Sequence, residues 1–225
     1  MITLDKINRA EAMRYMGLGS SEPEKAIADI IDSCEKELLR VIRPLYTYAV
    51  FDISHTADSI EVVNTPLMLT GSAIKNHLAG CTRAVLLAAT LGIEADKTIK
   101  RFQVSDLTSA LASDSLASAA IEQVCNAAEE EIRQNIAPLN MTWRFSPGYG
   151  DLPLDLQRTF LTVLNAQKRI GLTVTDSLIM LPSKSVTAII GLSEKEIEKR
   201  RQGCAVCNMR GTCQFRKRGE RCVGY

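Results

Sequence analysis

The chain has 225 residues, 46% of them hydrophobic, enough for one large domain, or a domain with an appendage, and an adequate core. Its formal net charge of +1 names no partner, yet residues 199–225 carry a net +7 and leave −6 on residues 1–198, so a basic tail follows a mildly acidic body. The N-terminal segment contains acidic residues and no apolar signal core, and no apolar run reaches membrane-span length, so a cytoplasmic protein without a membrane partner is expected.

Residues 5–16 place Ile7, Ala10, Met13 and Met16 about one turn apart and stop at Gly17 and Gly19, which predicts a short helix. Ser20 or Ser21 as a cap, Pro23 in the first turn and Glu24 as the capping-box partner predict a second helix to about Arg43, where Pro44 stops it. Tyr46 to Ile53 and Ser59 to Val63 read as a β-hairpin, and Pro66 to Gly71 leads into a short helix closed by Gly80. Arg83 to Leu91 is an apolar run that suits a central strand covered on both faces. Ile93 to Phe102 reads as a helix, and Asp106 to Ile136 as a long one ended by Pro138.

Leu154 to Ile170 is read as a helix with Lys168 and Arg169 at its C-terminus and Gly171 as its stop. Leu172 to Leu181 and Ser185 to Leu192, joined at Pro182-Ser183-Lys184, read as a second hairpin, and Ser193 with Glu196 caps a last short helix. Helices mixed irregularly with antiparallel hairpins predict an α+β domain over residues 1–198, followed by a basic Cys-rich tail over residues 199–225.

The stretch from Trp143 to Gln157, WRFSPGYGDLPLDLQ, carries the densest chemistry. It passes through Arg144 and a Pro-Gly-Tyr-Gly turn into a helix begun by Asp151 and Pro153. Arg offers a fork of donors that matches a carboxylate. Gly148 and Gly150 leave the backbone open to close approach, and Tyr149 adds an aromatic face with a hydroxyl at its edge. The group suits an amino-acid-bearing or nucleoside-bearing ligand. From residue types alone, an arginine paired with a surface carboxylate beside an ordinary type II turn accounts for it equally.

Arg144-Phe-Ser-Pro-Gly148-Tyr149 resembles the Arg-x-x-x-Gly-Tyr motif of the activation domain of cobalamin-dependent methionine synthase. LASDSLASAAIEQ (residues 111–123) resembles the helix before that motif, and LIMLPSKSVTAIIGLS (residues 178–193) the hairpin after it. The resemblance implies a twisted antiparallel sheet with flanking helices, placed over the corrin of a separate cobalamin-binding module. It implies reductive reactivation, with a methyl group from S-adenosylmethionine and an electron from flavodoxin or another donor. It assigns the ligand carboxylate to Arg144, the lining of its site to Pro147 and Gly148, and the corrin face, as the catalytic position, to Tyr149. Ile190 and Gly191 fall where the family's second strand contacts the ligand. Asp114 matches an acidic helix residue that helps set the ligand or cobalamin environment; its family companion one turn later is Ser118 here, with Glu122 a further turn along. An exposed helix carboxylate is the plain alternative for Asp114. No Asp-x-His-x-x-Gly signature of the lower cobalt ligand is present, so cobalamin is expected on a partner.

The cysteine count is odd, and Cys34, Cys81 and Cys125 stand singly in apolar segments as small core residues. Cys204-x-x-Cys207, Cys213 and Cys222 cluster in the basic tail, a pattern that suits a zinc or an iron–sulfur cluster more than disulfides in a cytosolic protein. An iron–sulfur centre would make the chain a reductive activator of another corrinoid methyltransferase. A zinc knuckle would make it an adaptor or nucleic-acid binder, for which Phe215 and Tyr225 alone give weak stacking support, so nucleic acid is not the expected partner.

Overall fold

The computed structural model describes residues 2–18 and 23–197, together with Gly211. The elements run α1 (Arg9–Tyr15), α2 (Lys25–Val41), β1 (Leu45–His55), β2 (Ser59–Val62), β3 (Met68–Thr70), α3 (Ser72–His77), β4 (Arg83–Thr90), α4 (Ile93–Ser105) and α5 (Leu107–Ile136). There follow β5 (Asn140–Met141), α6 (Leu156–Val163), α7 (Ala166–Ile170), β6 (Thr173–Val174), β7 (Met180–Leu181) and β8 (Ser185–Ser193). Six strands form one antiparallel sheet in the order β3-β2-β1-β4-β8-β5, and β6 with β7 forms a small separate hairpin. This is the expected α+β fold of an antiparallel sheet flanked by helices.

The sheet is built around β4, whose residues are buried on both faces as its unbroken apolar run requires. It pairs with β1 from Leu45↔Thr90 to Asp52↔Arg83 and with β8 from Arg83↔Leu192 to Thr90↔Ser185. Alternation then divides its side chains. Ala84, Leu86 and Ala88 pack toward α3, α6 and α7 with Phe160, Leu161 and Ile189. Val85 and Leu87 meet Ala128, Ile132 and Ile190 under the second half of α5. The first half of α5 buries Ala112, Leu116, Ala119 and Ala120 against α1, α2 and α4. Asp106 caps α5 by accepting from the Thr108 amide at 3.0 Å.

Four expectations need correction. Residues 185–192 do not pair with 172–181: β8 joins the main sheet, because its apolar residues are buried on both faces and complete β4's second edge. Residues 173–174 pair only with 180–181. The helix expected over 154–170 begins at Leu156 and breaks at Asn165, a left-handed residue with φ 51°. The lead-in to α3 contains an additional strand, β3, which pairs with β2. Ser193 ends β8, and its hydroxyl accepts from the Lys195 amide at 3.1 Å; no helix starts before residue 198, where description stops. Among the described residues no helix is long and apolar enough to cross a membrane.

Candidate functional site

Residues 142–151 form an arch whose first half runs along the outer edge of β8 and whose two ends rest on α3. Phe145 exchanges backbone hydrogen bonds with Ile189, and the Thr142 amide donates to the Gly191 carbonyl at 2.9 Å. One foot rests on the end of α3: the Thr142 hydroxyl oxygen lies 2.8 Å from His77 Nε2 and accepts from the Gly191 amide at 2.8 Å. The buried His77 ring meets Trp143 edge-on at 4.5 Å and Phe145 at 4.9 Å, and Phe145 meets Tyr149 edge-on at 5.2 Å. These contacts fix the rings in a chain that ends at the surface.

The other foot rests on the start of α3. The Asp151 carboxylate accepts from the Ser72 amide at 2.6 Å, the Ser72 hydroxyl at 2.7 Å and the Ala73 amide at 2.9 Å. The Ser72 hydroxyl, then the Ala73 and Ser72 amides, hold its carboxyl down at about 2. Asp151 therefore caps α3 instead of opening the helix that follows it. The fit is close: a Cβ on Gly150, at φ +59°, would lie 2.8 Å from the Ala73 Cβ. Between the feet, Pro147 is buried while Gly148, Tyr149 and Gly150 are exposed, with Gly148 at φ +85° and its amide donating to the Leu152 carbonyl at 2.9 Å. Tyr149 is 55% exposed, so its face is available to an incoming group.

Arg144 points the opposite way, onto α5. Its Nη2 donates to Glu122 Oε2 at 2.9 Å and to Asn126 Oδ1 at 3.0 Å, and Nη1 donates to Asn126 Oδ1 at 3.0 Å with Glu129 Oε2 at 3.3 Å. Residues 122, 126 and 129 are one helical face, which sequence spacing alone could have supplied once Arg144 was placed against α5. Burial raises the Glu129 carboxyl above its ordinary range, with Arg144 opposing that shift. The same face continues to Asp114, half exposed and bonded at 2.8 Å to Lys184 Nζ, which also donates to the Ser118 hydroxyl at 2.9 Å. Arg144 and Lys184 thus occupy one acidic stripe two turns apart.

Arg144, Pro147, Gly148 and Tyr149 share one continuous turn, but the Arg144 side chain lies on α5 while the Tyr149 ring lies against Phe145, and Asp114 is on the α5 face that carries the Arg144 partners. The structure gives Ile190 and Gly191 other work. Ile190 is fully buried between the sheet and α5. Gly191 is glycine because a Cβ there would lie 2.5 Å from Cys81 Sγ and 2.8 Å from Leu78 Cδ2. Neither presents a group to solvent. Cys34, Cys81 and Cys125 are buried free thiols, and burial pushes Cys81 up to about 11 and Cys125 up to about 12. Cys204, Cys207, Cys213 and Cys222 lie outside the described residues; among those described, no three His, Cys, Asp or Glu side chains are grouped to hold a metal.

Two of the surface concavities among the described residues lie away from the arch. One is lined by Tyr46, Tyr48, Glu131 and Arg169, the other by Val50, Arg83 and residues 135–139 with Glu194. They lack the combination of a carboxylate-matching fork, an exposed aromatic ring and open glycine backbone that the arch provides.

The family described as "Vitamin B12 dependent methionine synthase, activation domain" matches residues 74–198, more than half of the chain. The fold is similar to that in the crystal structure of the MetH reactivation domain bound to AdoHcy. The TM-score is 0.60 at 17% identity, over 96% of this chain and 82% of that one. No curated protein matches the sequence.

Proposed function

This chain belongs to the activation-domain family of vitamin B12-dependent methionine synthase, and from that membership we propose that it serves reductive reactivation of such an enzyme. In this reading it binds S-adenosylmethionine and positions the methyl group for transfer to reduced cobalamin held on a partner module. The partner is the cobalamin-binding module of methionine synthase or another corrinoid protein, with flavodoxin or another donor supplying the electron. A solved relative in fold is bound to AdoHcy, the demethylated form of that methyl donor, which supports the choice of ligand.

The observation that carries the reading is the arch itself, with a half-buried guanidinium at one side and an exposed tyrosine ring at the other. Arg144 binds the ligand carboxylate, Pro147 and the Gly148 backbone line the ligand, and Tyr149 stands toward the corrin. Asp114 and its Lys184 partner set the charge of the adjoining α5 face. Ile190 and Gly191 contribute from beneath, by holding the strand on which the arch sits. When bound on the partner, the corrin supplies the cobalt nucleophile, and the sulfonium supplies the methyl group and the leaving thioether. This chain contributes proximity and orientation, and needs no side-chain nucleophile. Both histidines have contacts within the chain: His55 Nε2 is bonded to the Cys81 carbonyl oxygen at 2.8 Å, and His77 is packed within the arch. The tail cysteines 204, 207, 213 and 222 are the proposed holders of zinc or an iron–sulfur cluster.

Titration of S-adenosylmethionine into the wild type and Arg144→Ala tests the reading. The variant should lose about 1.5–3 kcal/mol, the range for a hydrogen bond to a charged group. Absence of binding by the wild type, with the cobalamin partner present, overturns the function. Equal binding by the variant overturns the role of Arg144.

A further inference from the structure

The guanidinium that is to receive a ligand carboxylate already holds carboxylates of its own. Both terminal nitrogens of Arg144 are engaged: Nη1 with Asn126 and Glu129, Nη2 with Asn126 and Glu122. A ligand carboxylate therefore cannot simply add to this arginine; it has to replace a partner. The three α5 partners differ in how readily they can leave. The Glu129 side chain is 22% exposed, and Asn126 reaches both nitrogens from the same helix face, so these two grip the guanidinium from beneath. The Glu122 side chain is 41% exposed, against 18% for Arg144. Glu122 is the outer partner.

We infer that the Arg144–Glu122 ion pair is a placeholder for the zwitterion of an α-amino acid, and that Glu122 receives the ligand's ammonium group. The inference rests on the proposed binding of S-adenosylmethionine, whose amino-acid end carries one carboxylate and one ammonium on the same carbon. On binding, the ligand carboxylate takes the place of Glu122 on Nη2, and the released Glu122 carboxylate accepts from the ammonium beside it. One ion pair becomes two, in alternating order, and no half-buried charge is left without a counter-charge. Asn126 and Glu129 keep the guanidinium oriented throughout. The exchange also explains why a site for an anionic group is lined with glutamates. Their charge would repel a lone carboxylate but suits a group that carries its own cation.

Glu122→Gln keeps the size and donor-accepting oxygen of the side chain and removes its charge. Isothermal titration with S-adenosylmethionine should show binding weakened roughly fivefold or more, as for loss of one partly exposed charge pair. The control ligand is 5′-methylthioadenosine, which lacks both the carboxylate and the ammonium; its affinity should not change. Two results overturn the inference while leaving the function standing. Unchanged or tighter S-adenosylmethionine binding by Glu122→Gln would make Glu122 a bystander or a competitor of the ligand carboxylate. An equal loss for both ligands would make its role structural. Failure of the wild type to bind S-adenosylmethionine, by contrast, removes the underlying function.

Discussion

At the scale of single residues, Gly191 shows how closely the support of the arch is fitted. Its missing side chain leaves room for Cys81 and Leu78, from the surface on which the arch is founded, and for the methyl group of Thr142, the arch's first residue. Gly191→Ala should destabilise the protein by about 1–3 kcal/mol, the usual range for overpacking a filled core, seen as a lower urea midpoint. S-adenosylmethionine binding should fall with it, because the Gly191 amide and carbonyl both hold Thr142. Arg144 makes a complementary point. Residue chemistry offered two readings for it, a surface ion pair and a ligand clamp; the structure pairs it with Glu122 and Glu129 on α5, and the clamp is the proposed role.

At the scale of elements, α3 is six residues long, yet both ends of the arch rest on it. Its first turn is satisfied by Asp151, a partner 78 or 79 residues away in sequence. Because the folded-state carboxyl lies at about 2, below its ordinary 3.8, this anchor is fully present above pH 3.8 and is lost as pH falls toward about 2. Hydrogen exchange at the Ser72 and Ala73 amides should therefore stay slow through mildly acidic pH. In Asp151→Ala these two amides should exchange close to their intrinsic rates at every pH, with Tyr149 less ordered. The long elements were legible in the sequence because their patterns are long: the apolar run of β4 and the helical spacing of α5 needed no tertiary information. What failed depended on distant partners. The apolar residues 185–192 announce a buried strand without saying which neighbour it pairs with, and β4 is nearly a hundred residues earlier. Asp151 followed by Pro153 has the form of a helix start, but its carboxylate was taken by α3. The break at Asn165 rests on one left-handed residue that periodicity cannot register. The motif residues of the candidate site stand together in the sequence; Asn126 and Glu129 were not readable as partners of Arg144, since nothing local ties α5 to residue 144.

At the scale of the whole molecule, one sheet separates two cores, and the buried thiols sample both. Cys34 and Cys125 lie under α5 on one face, and Cys81 lies on the other beside Gly191. Their inaccessibility and the raised values of Cys81 and Cys125 predict no alkylation of these three in the native protein. In a urea series read by peptide mass, Cys34 and Cys81 should become reactive together if the two faces unfold as one unit. Reaction of Cys81 at lower urea would show that the face carrying α3 opens first.

The chain contains a single tryptophan, and it is Trp143, inside the arch, edge-on to His77 and next in sequence to Arg144. The protein thereby carries its own optical probe at the place where ligand and partner are proposed to meet. Emission from the native, unlabelled chain reports on this one environment, without contributions from other indoles. A stopped-flow trace of that emission on mixing with S-adenosylmethionine would time events at the arch separately from any later change of absorbance in the corrin.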